Sequence, residues 1–286
     1  MKIAITGATG QLGQWVIQSL LKNTAAANIV ALVRNESKAA DLKVKGIELR
    51  LFDYDTPATL ASALSGIDKL LLISANEVGR RTPQHKAVIA AAQQAGVPYI
   101  AYTSLLNADH SPLGLAQEHR ETESLIKASG LQYTFLRNNW YSENYLAGIT
   151  HTVEIGTLYG TAGEGKISSA ARADYAEAAA NVLTTSGHEN KIYELAGSTS
   201  FTLADLAADI ADVSGKEITY QNLSAEDYTQ ALTQAGLPAG LVDIIVNTDI
   251  QTEKGAMFSD CKDLEQLIGH PTTPIKAQVA TILTAS

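Results

Sequence analysis

The sequence predicts an α/β protein with a parallel, doubly wound sheet and a smaller, mostly helical C-terminal lobe. Two observations predict the sheet. Short apolar runs alternate with helical stretches along residues 1–200, and a glycine-rich turn separates the first run from the first helix. Runs that are apolar throughout are typical of parallel strands, which are buried on both faces. The lobe is predicted because the sequence after Phe201 is mostly helical and has no second turn of this kind.

The glycine turn is the most informative segment. Residues Gly7–Gly13 have the pattern G-x-x-G-x-x-G, follow the apolar run Lys2–Thr6 and precede a helix with Leu12, Val16 and Leu20 on one face. Glycine lets the backbone turn sharply and approach a phosphate, and a helix N-terminus supplies free N–H groups. An ordinary tight turn is the alternative. The order strand, glycine turn, helix favours the pyrophosphate loop of a Rossmann-like fold, and hence a dinucleotide cofactor.

The remaining elements of the sheet follow in order along the chain. Thr56 and Pro57 predict a helix start, as an N-cap followed by proline at the first helical position. Helical patterns include residues 87–94 and 118–128. Further strands are predicted at 29–33, 47–52, 69–74, 99–103, 133–137 and 192–196.

The C-terminal lobe is marked by two capping boxes. Thr202–Asp205 and Ser224–Asp227 each predict a helix start, and a short strand is predicted between them at 217–221. The predicted division of the chain is a dinucleotide-binding domain over 1–150, completed by about 171–200, and a substrate-side lobe over 201–286 with about 151–170.

Composition excludes several classes of protein. Hydrophobic residues make up 45% of 286 residues, yet no stretch approaches the ~18 unbroken apolar residues of a membrane span. The net charge of −9 argues against a nucleic-acid partner, and the six histidines lack metal-ligand spacing. A single cysteine, Cys261, excludes an internal disulfide, and because a strand is predicted directly at the first residues, no signal peptide is expected. We therefore expect a cytoplasmic protein without a metal.

Residues at strand ends are candidate cofactor contacts, because doubly wound sheets bind ligands there. Arg34 ends the second strand, where an arginine suits the 2′-phosphate of NADP. The alternative is a solvated loop arginine, and Glu36 nearby leaves NAD open. Asp53 ends the third strand, where it either accepts from the adenine amino group or belongs to a turn. Of these residues, Arg34 favours NADPH as the cofactor.

Two further strand ends have a composition that suits cofactor contact. The small side chains of Ser74–Asn76, after the fourth strand, would admit a ribose. Arg137–Tyr141, after the sixth strand, is dense in polar and aromatic groups where a nicotinamide is expected. An exposed turn is the alternative for the second segment.

Four segments resemble the NmrA-like, atypical short-chain dehydrogenases/reductases: Gly7–Gly13, Arg34, Tyr102–Ser104 and Leu136–Tyr145. The similarity runs to the tail at 268–272. Within that group the chain is most similar to the bacterial type 2 NAD(P)H:quinone oxidoreductases, and next to the triphenylmethane reductases. The resemblance implies NADPH without flavin or metal. It also implies cofactor contacts at Gly7, Ala8, Thr9, Gly10, Gln11, Leu12, Arg34, Ser74, Ala75, Asn76, Asn138, Asn139, Trp140, Tyr141, Ser142 and Glu143.

One departure from the wider superfamily has chemical consequences. If Glu123 matches the glutamate that commonly follows the catalytic lysine, Leu115 and His119 replace the usual Tyr-x-x-x-Lys pair. Reduction of a ketone gives an alkoxide, which needs a positioned proton donor. A quinone gives a phenolate-like anion with a pKa of about 10, which can take its proton from water. The missing pair therefore favours an electrophilic hydride acceptor.

Candidate catalytic residues follow from these positions. His119 is either a proton donor to the reduced acceptor or a structural histidine on a helix face. Thr103, with Ser104, either donates to a substrate oxygen or satisfies local backbone groups. Asn138 and Tyr141 would position the nicotinamide or the acceptor. Asp174 is expected to be a helix N-cap.

Two classes of function remain open from the sequence. The first is an NADPH-dependent reductase of a small-molecule quinone, with triarylmethane-type dyes as alternative acceptors. The second is a dinucleotide-binding redox sensor that does not catalyse a reaction and acts through a protein partner. Neither a membrane nor a nucleic acid is expected as a partner, and a homo-oligomer stays open.

Overall fold

The computed structural model describes residues 1–284. Nine strands are observed: β1 Ile3–Ile5, β2 Ile29–Val33, β3 Glu48–Leu51, β4 Lys69–Leu72, β5 Tyr99–Leu105, β6 Gln132–Asn138, β7 Thr157–Gly160, β8 Lys191–Leu195 and β9 Thr219–Asn222. The first eight α-helices are α1 Gln11–Leu21, α2 Ala40–Val44, α3 Leu60–Ala63, α4 Arg81–Gln94, α5 Ala116–Ala128, α6 Ser142–Leu146, α7 Ile149–Ile155 and α8 Arg172–Thr184. The others are α9 Leu203–Ser214, α10 Ala225–Gln234, α11 Ala239–Glu253, α12 Asp263–Ile268 and α13 Ile275–Thr284.

Seven strands form one parallel sheet in the order β3-β2-β1-β4-β5-β6-β8. The order runs outward from β1 to β3 and then resumes on the other side of β1 with β4. The carboxyl ends of β1 and β4 therefore flank a crevice at which the direction of winding reverses. This arrangement confirms the predicted doubly wound, Rossmann-like sheet.

The alternation of side chains along each strand supplies two cores, one on each face of the sheet. Ile29, Ala31 and Val33 of β2 pack with α1, α8 and α12 on one face. Val30 and Leu32 pack with α3, α4 and α5 on the other. Because successive side chains of a strand point to opposite faces, an unbroken apolar run covers both helical layers.

The C-terminal lobe has its own small sheet and core. Strands β7 and β9 pair in parallel, α9 packs on them, and α13 packs on α9 around a third apolar cluster. The predicted capping box at Thr202 is complete: the Thr202 hydroxyl accepts from the Asp205 N–H, and the Asp205 carboxylate accepts from the Thr202 N–H. Ser224 caps α10 by accepting from the Asp227 N–H, but the reciprocal backbone bond of a capping box is not formed. Helix α12, in contrast, packs on α8 and β8 of the large sheet.

Three local predictions differ from the structure. Asp174 is not an N-cap, since α8 begins at Arg172 and its N-cap is Ala171. Instead the buried Asp174 carboxylate accepts from the N–H and hydroxyl of Thr273 at 2.9 and 3.0 Å. Thr56 precedes a short 3-10 helix that starts at Pro57, and its side chain makes no capping hydrogen bond. The strand predicted at 217–221 begins two residues later, at Thr219.

Within residues 1–284, no helix has both the length and the apolar character needed to cross a bilayer.

Candidate functional site

The glycine loop connects β1 to α1. Gly7 has a φ of +59°, a left-handed conformation that favours glycine, and its carbonyl accepts from the Gly10 N–H at 2.8 Å. A Cβ on Gly13 would lie 2.3 Å from that carbonyl oxygen, so a larger residue requires the backbone to move. Gly10 is the N-cap of α1 and has no side chain to cap the first turn. The free N–H groups of that turn are therefore available to an anion.

A cleft of about 830 Å³ runs along the carboxyl edge of the sheet from this loop. It lies between β1 and β4, where the winding reverses, and extends past the ends of β2 and β3. Ala8 is buried beneath the loop. The residues lining the cleft are Gly7, Thr9, Gly10, Gln11, Leu12, Gly13, Leu32, Val33, Arg34, Asn35, Lys38, Phe52, Asp53, Tyr54, Asp55, Ile73, Ser74, Ala75, Asn76, Glu77 and Gln84.

Charged side chains gather on the β2 and β3 side of the cleft. Arg34 is exposed by 68%, and its Nη1 lies 3.7 Å from Glu77 Oε1. Lys38 is a second cation in the cleft wall, one that the sequence analysis missed. Asp53 accepts from the Asp55 N–H at 3.1 Å, so it belongs to a turn and also lines the cleft. Glu36 is exposed and does not line the cleft.

The segment Ser74–Asn76 begins the β4–α4 loop, residues 73–80, which forms one wall of the cleft. The Ser74 N–H donates to Thr103 Oγ1 at 2.9 Å, which connects this loop to β5. The Ala75 N–H donates to His85 Nε2 at 3.0 Å, and the Ala75 carbonyl accepts from Arg81 Nε at 2.7 Å. The peptide groups on both sides of Ala75 are thus fixed by side chains of α4.

These α4 side chains belong to a buried polar network, which we define as Arg81, His85, Tyr102, His119 and Thr122. His85 accepts through Nε2, so its Nδ1 carries the proton and donates to Thr122 Oγ1 at 2.9 Å. Burial, with the nearby charge of Arg81, lowers the pKa of His85 to about 3. His85 is therefore neutral at physiological pH.

His119 lies within this network and does not line the cleft. It is 5% exposed, and Arg81 Nη1 lies 3.4 Å from its Nε2. Because a guanidinium is only a donor, Nε2 accepts, and Nδ1–H donates to the Tyr102 hydroxyl at 2.8 Å. Burial and the charge of Arg81 hold the pKa of His119 well below its usual value. The geometry therefore favours the structural interpretation of His119.

At the end of β6, Arg137 is held by ion pairs, whereas Asn138 has a side-chain oxygen that is free to accept a hydrogen bond. Arg137 makes a bidentate ion pair with Glu123, at 2.9 and 2.7 Å, and further ion pairs with Glu194 and Asp109. Asn138 is 5% exposed, and its amide nitrogen lies 3.5 Å from the Tyr141 hydroxyl. Its amide oxygen has no hydrogen-bond partner. Asn138 can therefore accept a hydrogen bond from a ligand.

Asn139 and Ser142 connect this segment to its surroundings. Asn139 donates to the carbonyls of Ser168 and Met257 at 2.9 and 3.0 Å, and its amide oxygen accepts from the Trp140 N–H. The Ser142 hydroxyl lies 2.9 Å from that of Ser169. Both side chains are already bonded to protein groups.

Tyr141 and Glu143 are both organised by Arg172 on α8. The Arg172 guanidinium lies 4.4 Å from the centre of the Tyr141 ring, and Glu143 accepts from the Arg172 N–H at 2.9 Å. Burial raises the pKa of Tyr141, whereas the contact with Asn138 and the charge of Arg172 lower it. A raised pKa keeps this phenol protonated and able to donate a hydrogen bond.

Unpartnered buried polar atoms mark Gln84, which the sequence analysis did not propose as a site residue, and Tyr145, the last residue of the segment Leu136–Tyr145. Gln84 Oε1 and the Tyr145 hydroxyl are buried without a hydrogen-bond partner, and Gln84 lines the cleft. Gln84 was missed because helix 4 was predicted from residue 87, whereas α4 begins at Arg81. Its first turns bury polar side chains, so they lack the apolar periodicity that predicts a helix. The Tyr145 ring packs edge-on against Phe201 of the C-terminal lobe.

The predicted site residues thus fall into two groups. The glycine loop, Arg34 and Ser74–Asn76 meet at the cleft, together with Lys38, Glu77 and Gln84. Asn138–Glu143 follow the end of β6, two strands away from β4 on the same edge of the sheet. Among residues 1–284, no group of three or more His, Cys, Asp or Glu side chains has the geometry of a metal site.

Comparisons with known proteins agree with this geometry. The profile of the NAD(P)H-binding family matches residues 7–186. Quinone oxidoreductase 2 of Escherichia coli strain K12 is 57% identical over 278 residues, which cover 97% of each chain. The sequence-based resemblance is thereby confirmed.

Solved structures extend the similarity to the whole fold. The crystal structure of the NADPH-dependent quinone oxidoreductase of E. coli, in complex with NADPH, superposes with a TM-score of 0.96 at 56% identity. The superposition covers 98% of this chain and 99% of that one. The triphenylmethane reductase of Citrobacter sp., in complex with NADP(H), gives a TM-score of 0.95 at 40% identity, covering 98% and 99%.

Proposed function

Since this chain belongs to the NAD(P)H-binding family, we propose that it is an NADPH-dependent reductase that transfers hydride directly to a quinone-type acceptor. One observation carries the proposal: the 57% identity to E. coli quinone oxidoreductase 2 extends along 97% of both chains. The aligned region therefore extends over both the nucleotide-binding domain and the C-terminal lobe, and not over the nucleotide-binding half alone.

The residues of the cleft fit a dinucleotide. Gly10 leaves the first turn of α1 open to a pyrophosphate, and Arg34 and Lys38 suit a 2′-phosphate. The unpartnered amide oxygen of Asn138 suits the N–H of a carboxamide. Residues proposed to bind NADPH are Gly7, Ala8, Thr9, Gly10, Gln11, Leu12, Arg34, Ser74, Ala75, Asn76, Asn138, Asn139, Trp140, Tyr141, Ser142 and Glu143.

When bound, NADPH would supply the hydride. The chain's own contribution is to position the acceptor, because the usual Tyr-x-x-x-Lys pair is replaced by Leu115 and the buried His119. A reduced quinone is a phenolate-like anion that accepts its proton from water. Tyr141 and Asn138 are proposed to orient the ring, and Thr103 to support the β4–α4 loop.

Several further features belong to the same proposal. Residues 1–150 with about 171–200 would bind the dinucleotide, and residues 201–286 with about 151–170 would cover the acceptor, except α12, which packs on the large sheet. We propose a cytoplasmic location, no bound flavin or metal, and no nucleic acid or membrane as a partner. A homo-oligomer is compatible with the proposal.

Loss of NADPH absorbance in the presence of a simple benzoquinone tests the proposal directly. The wild-type protein should oxidise NADPH only when the quinone is present. Gly10→Val should abolish dinucleotide binding in a calorimetric titration, because a branched side chain would occupy the space that the pyrophosphate needs. NADPH binding by the wild-type protein without turnover of any quinone or dye would favour the redox sensor instead.

A further inference from the structure

An ionic chain follows the rim of the cleft, and Glu77 lies at its centre. Glu77 Oε2 is 2.8 Å from Arg80 Nη1, and Arg80 Nη2 is 2.7 Å from Asp55 Oδ1. On the other side, Glu77 Oε1 is 3.7 Å from Arg34 Nη1. Glu77 therefore belongs to the wall of the cleft and faces the arginine that is proposed to bind a 2′-phosphate.

The two contacts of Glu77 are unequal. The contact with Arg80 has hydrogen-bond length, and the next contact connects Arg80 to Asp55. The contact with Arg34 is longer and involves a more exposed side chain. If an anion engages Arg34, the Glu77 carboxylate stays in place, because Arg80 still binds it. A fixed negative charge thus remains beside any phosphate that binds Arg34.

The Glu77 carboxylate affects how well this end of the cleft can bind a phosphate. Two cations, Arg34 and Lys38, line this end of the cleft together with three carboxylates, Asp53, Asp55 and Glu77, and Arg80 binds the last two of these from outside the lining. A phosphate dianion bound to Arg34 would lie beside the Glu77 carboxylate and be repelled by it. A ribose hydroxyl has no charge and can donate to a carboxylate, so Glu77 favours the unphosphorylated ribose.

We infer that Glu77 is a specificity-determining residue that competes with a 2′-phosphate for Arg34 and thereby limits the preference for NADPH over NADH. This inference rests on the proposed function. It assigns to the β4–α4 loop a role in choosing the cofactor, in addition to forming the wall of the cleft. Arg34 favours the phosphate, and Glu77 opposes it.

Calorimetric titrations of the full chain with four ligands test the inference: NADPH, NADH, adenosine 2′,5′-bisphosphate and 5′-AMP. Glu77→Gln should raise the affinity for NADPH and for the bisphosphate by about three- to fivefold, the range of a partly exposed charge contact. The affinities for NADH and 5′-AMP should stay equal or fall. The change is isosteric and partly exposed, so the fold should remain intact.

Glu36→Gln is the matched control, because it removes the same charge from an exposed residue close to Arg34 that does not line the cleft. In Glu36→Gln, the ratio of the affinity for NADPH to that for NADH should change by less than about twofold, because solvent and salt screen an exposed charge. The inference would be overturned if Glu77→Gln left this affinity ratio unchanged or bound NADPH more weakly than the wild-type protein. It would also be overturned if Glu36→Gln changed the ratio as much as Glu77→Gln does. Failure of the wild-type protein to bind NADPH would instead overturn the proposed function.

Discussion

The two sides of the β4–α4 loop are fixed by opposite kinds of interaction. On the buried side, Arg81 and His85 bind the peptide groups of Ala75 within a network of neutral histidines, a tyrosine and a threonine. On the exposed side, Glu77 and Arg80 form ion pairs along the rim of the cleft. Buried hydrogen bonds are costly to break, whereas exposed ion pairs exchange readily with solvent or a ligand. The buried side therefore fixes the wall of the cleft, and the exposed side can respond to the cofactor.

The adjacent residues Arg81 and Arg80 give the most direct test of this contrast. Arg81→Ala should lower the free energy of unfolding by about 2–3 kcal/mol, because it leaves the Ala75 carbonyl without its donor and the Glu118 carboxylate without its cation. Arg80→Ala should cost less than about 1 kcal/mol, since Arg80 is 59% exposed. Urea unfolding of both variants measures the difference. Equal losses would show that the two sides do not differ as described.

Acidification should weaken the buried side alone. The pKa of His85 is lowered to about 3 in the folded protein, so the unfolded chain takes up a proton near pH 6.5 and the folded chain does not. Stability is therefore lost as the pH falls below 6.5. The loss from His85 should reach about 2 kcal/mol at pH 5. Between pH 7 and pH 5, the free energy of unfolding of His85→Gln should therefore fall by about 2 kcal/mol less than that of the wild-type protein. An identical fall in the two proteins would contradict the assignment of this effect to His85.

Arg34→Ala tests the exposed side. The variant should bind NADPH about ten- to a hundredfold more weakly, because a charge-assisted contact with a phosphate contributes roughly 1.5–3 kcal/mol. Its affinity for NADH should be nearly unchanged, and its stability should match that of the wild-type protein. Calorimetric titration with both dinucleotides provides the measurement. Equal losses for the two would remove Arg34 from this role.

His119→Ala should have the smallest effect on turnover. Because His119 is neutral and buried behind the cleft wall, its removal should lower quinone reduction by less than about tenfold, against the 10²–10⁴ typical of a general acid. Asn138→Ala or Tyr141→Ala should reduce the rate more, by loosening the position of the nicotinamide or the acceptor. Steady-state rates at saturating NADPH compare the three variants. A thousandfold loss in His119→Ala alone, with NADPH binding intact, would contradict a mechanism without an essential acid.

Local chemistry explains which parts of the fold were predictable. The central strands β1 and β2 are apolar runs buried along their whole length, and Gly7 and Gly13 are required by a left-handed φ and a close backbone approach. These constraints act within a few residues, so their pattern is visible in the sequence. The strand-end rule then predicted that the glycine loop, Arg34 and Ser74–Asn76 would meet at one cleft. All of these segments line it, with Ala8 beneath the loop.

Contacts between distant segments were decided only by the tertiary structure. Asp174 binds Thr273, ninety-nine residues away, and does not cap its own helix. His119 is neutral because α5 packs it against Arg81 of α4 and Tyr102 of β5. A residue type at a given spacing does not reveal which partner removes it from water, yet that partner and the loss of water determine its charge. The sequence by itself determined the sheet, the glycine loop and the cofactor edge; the packing of the helices decided which polar groups are bonded to protein and which, like Asn138 Oδ1, remain available to a ligand.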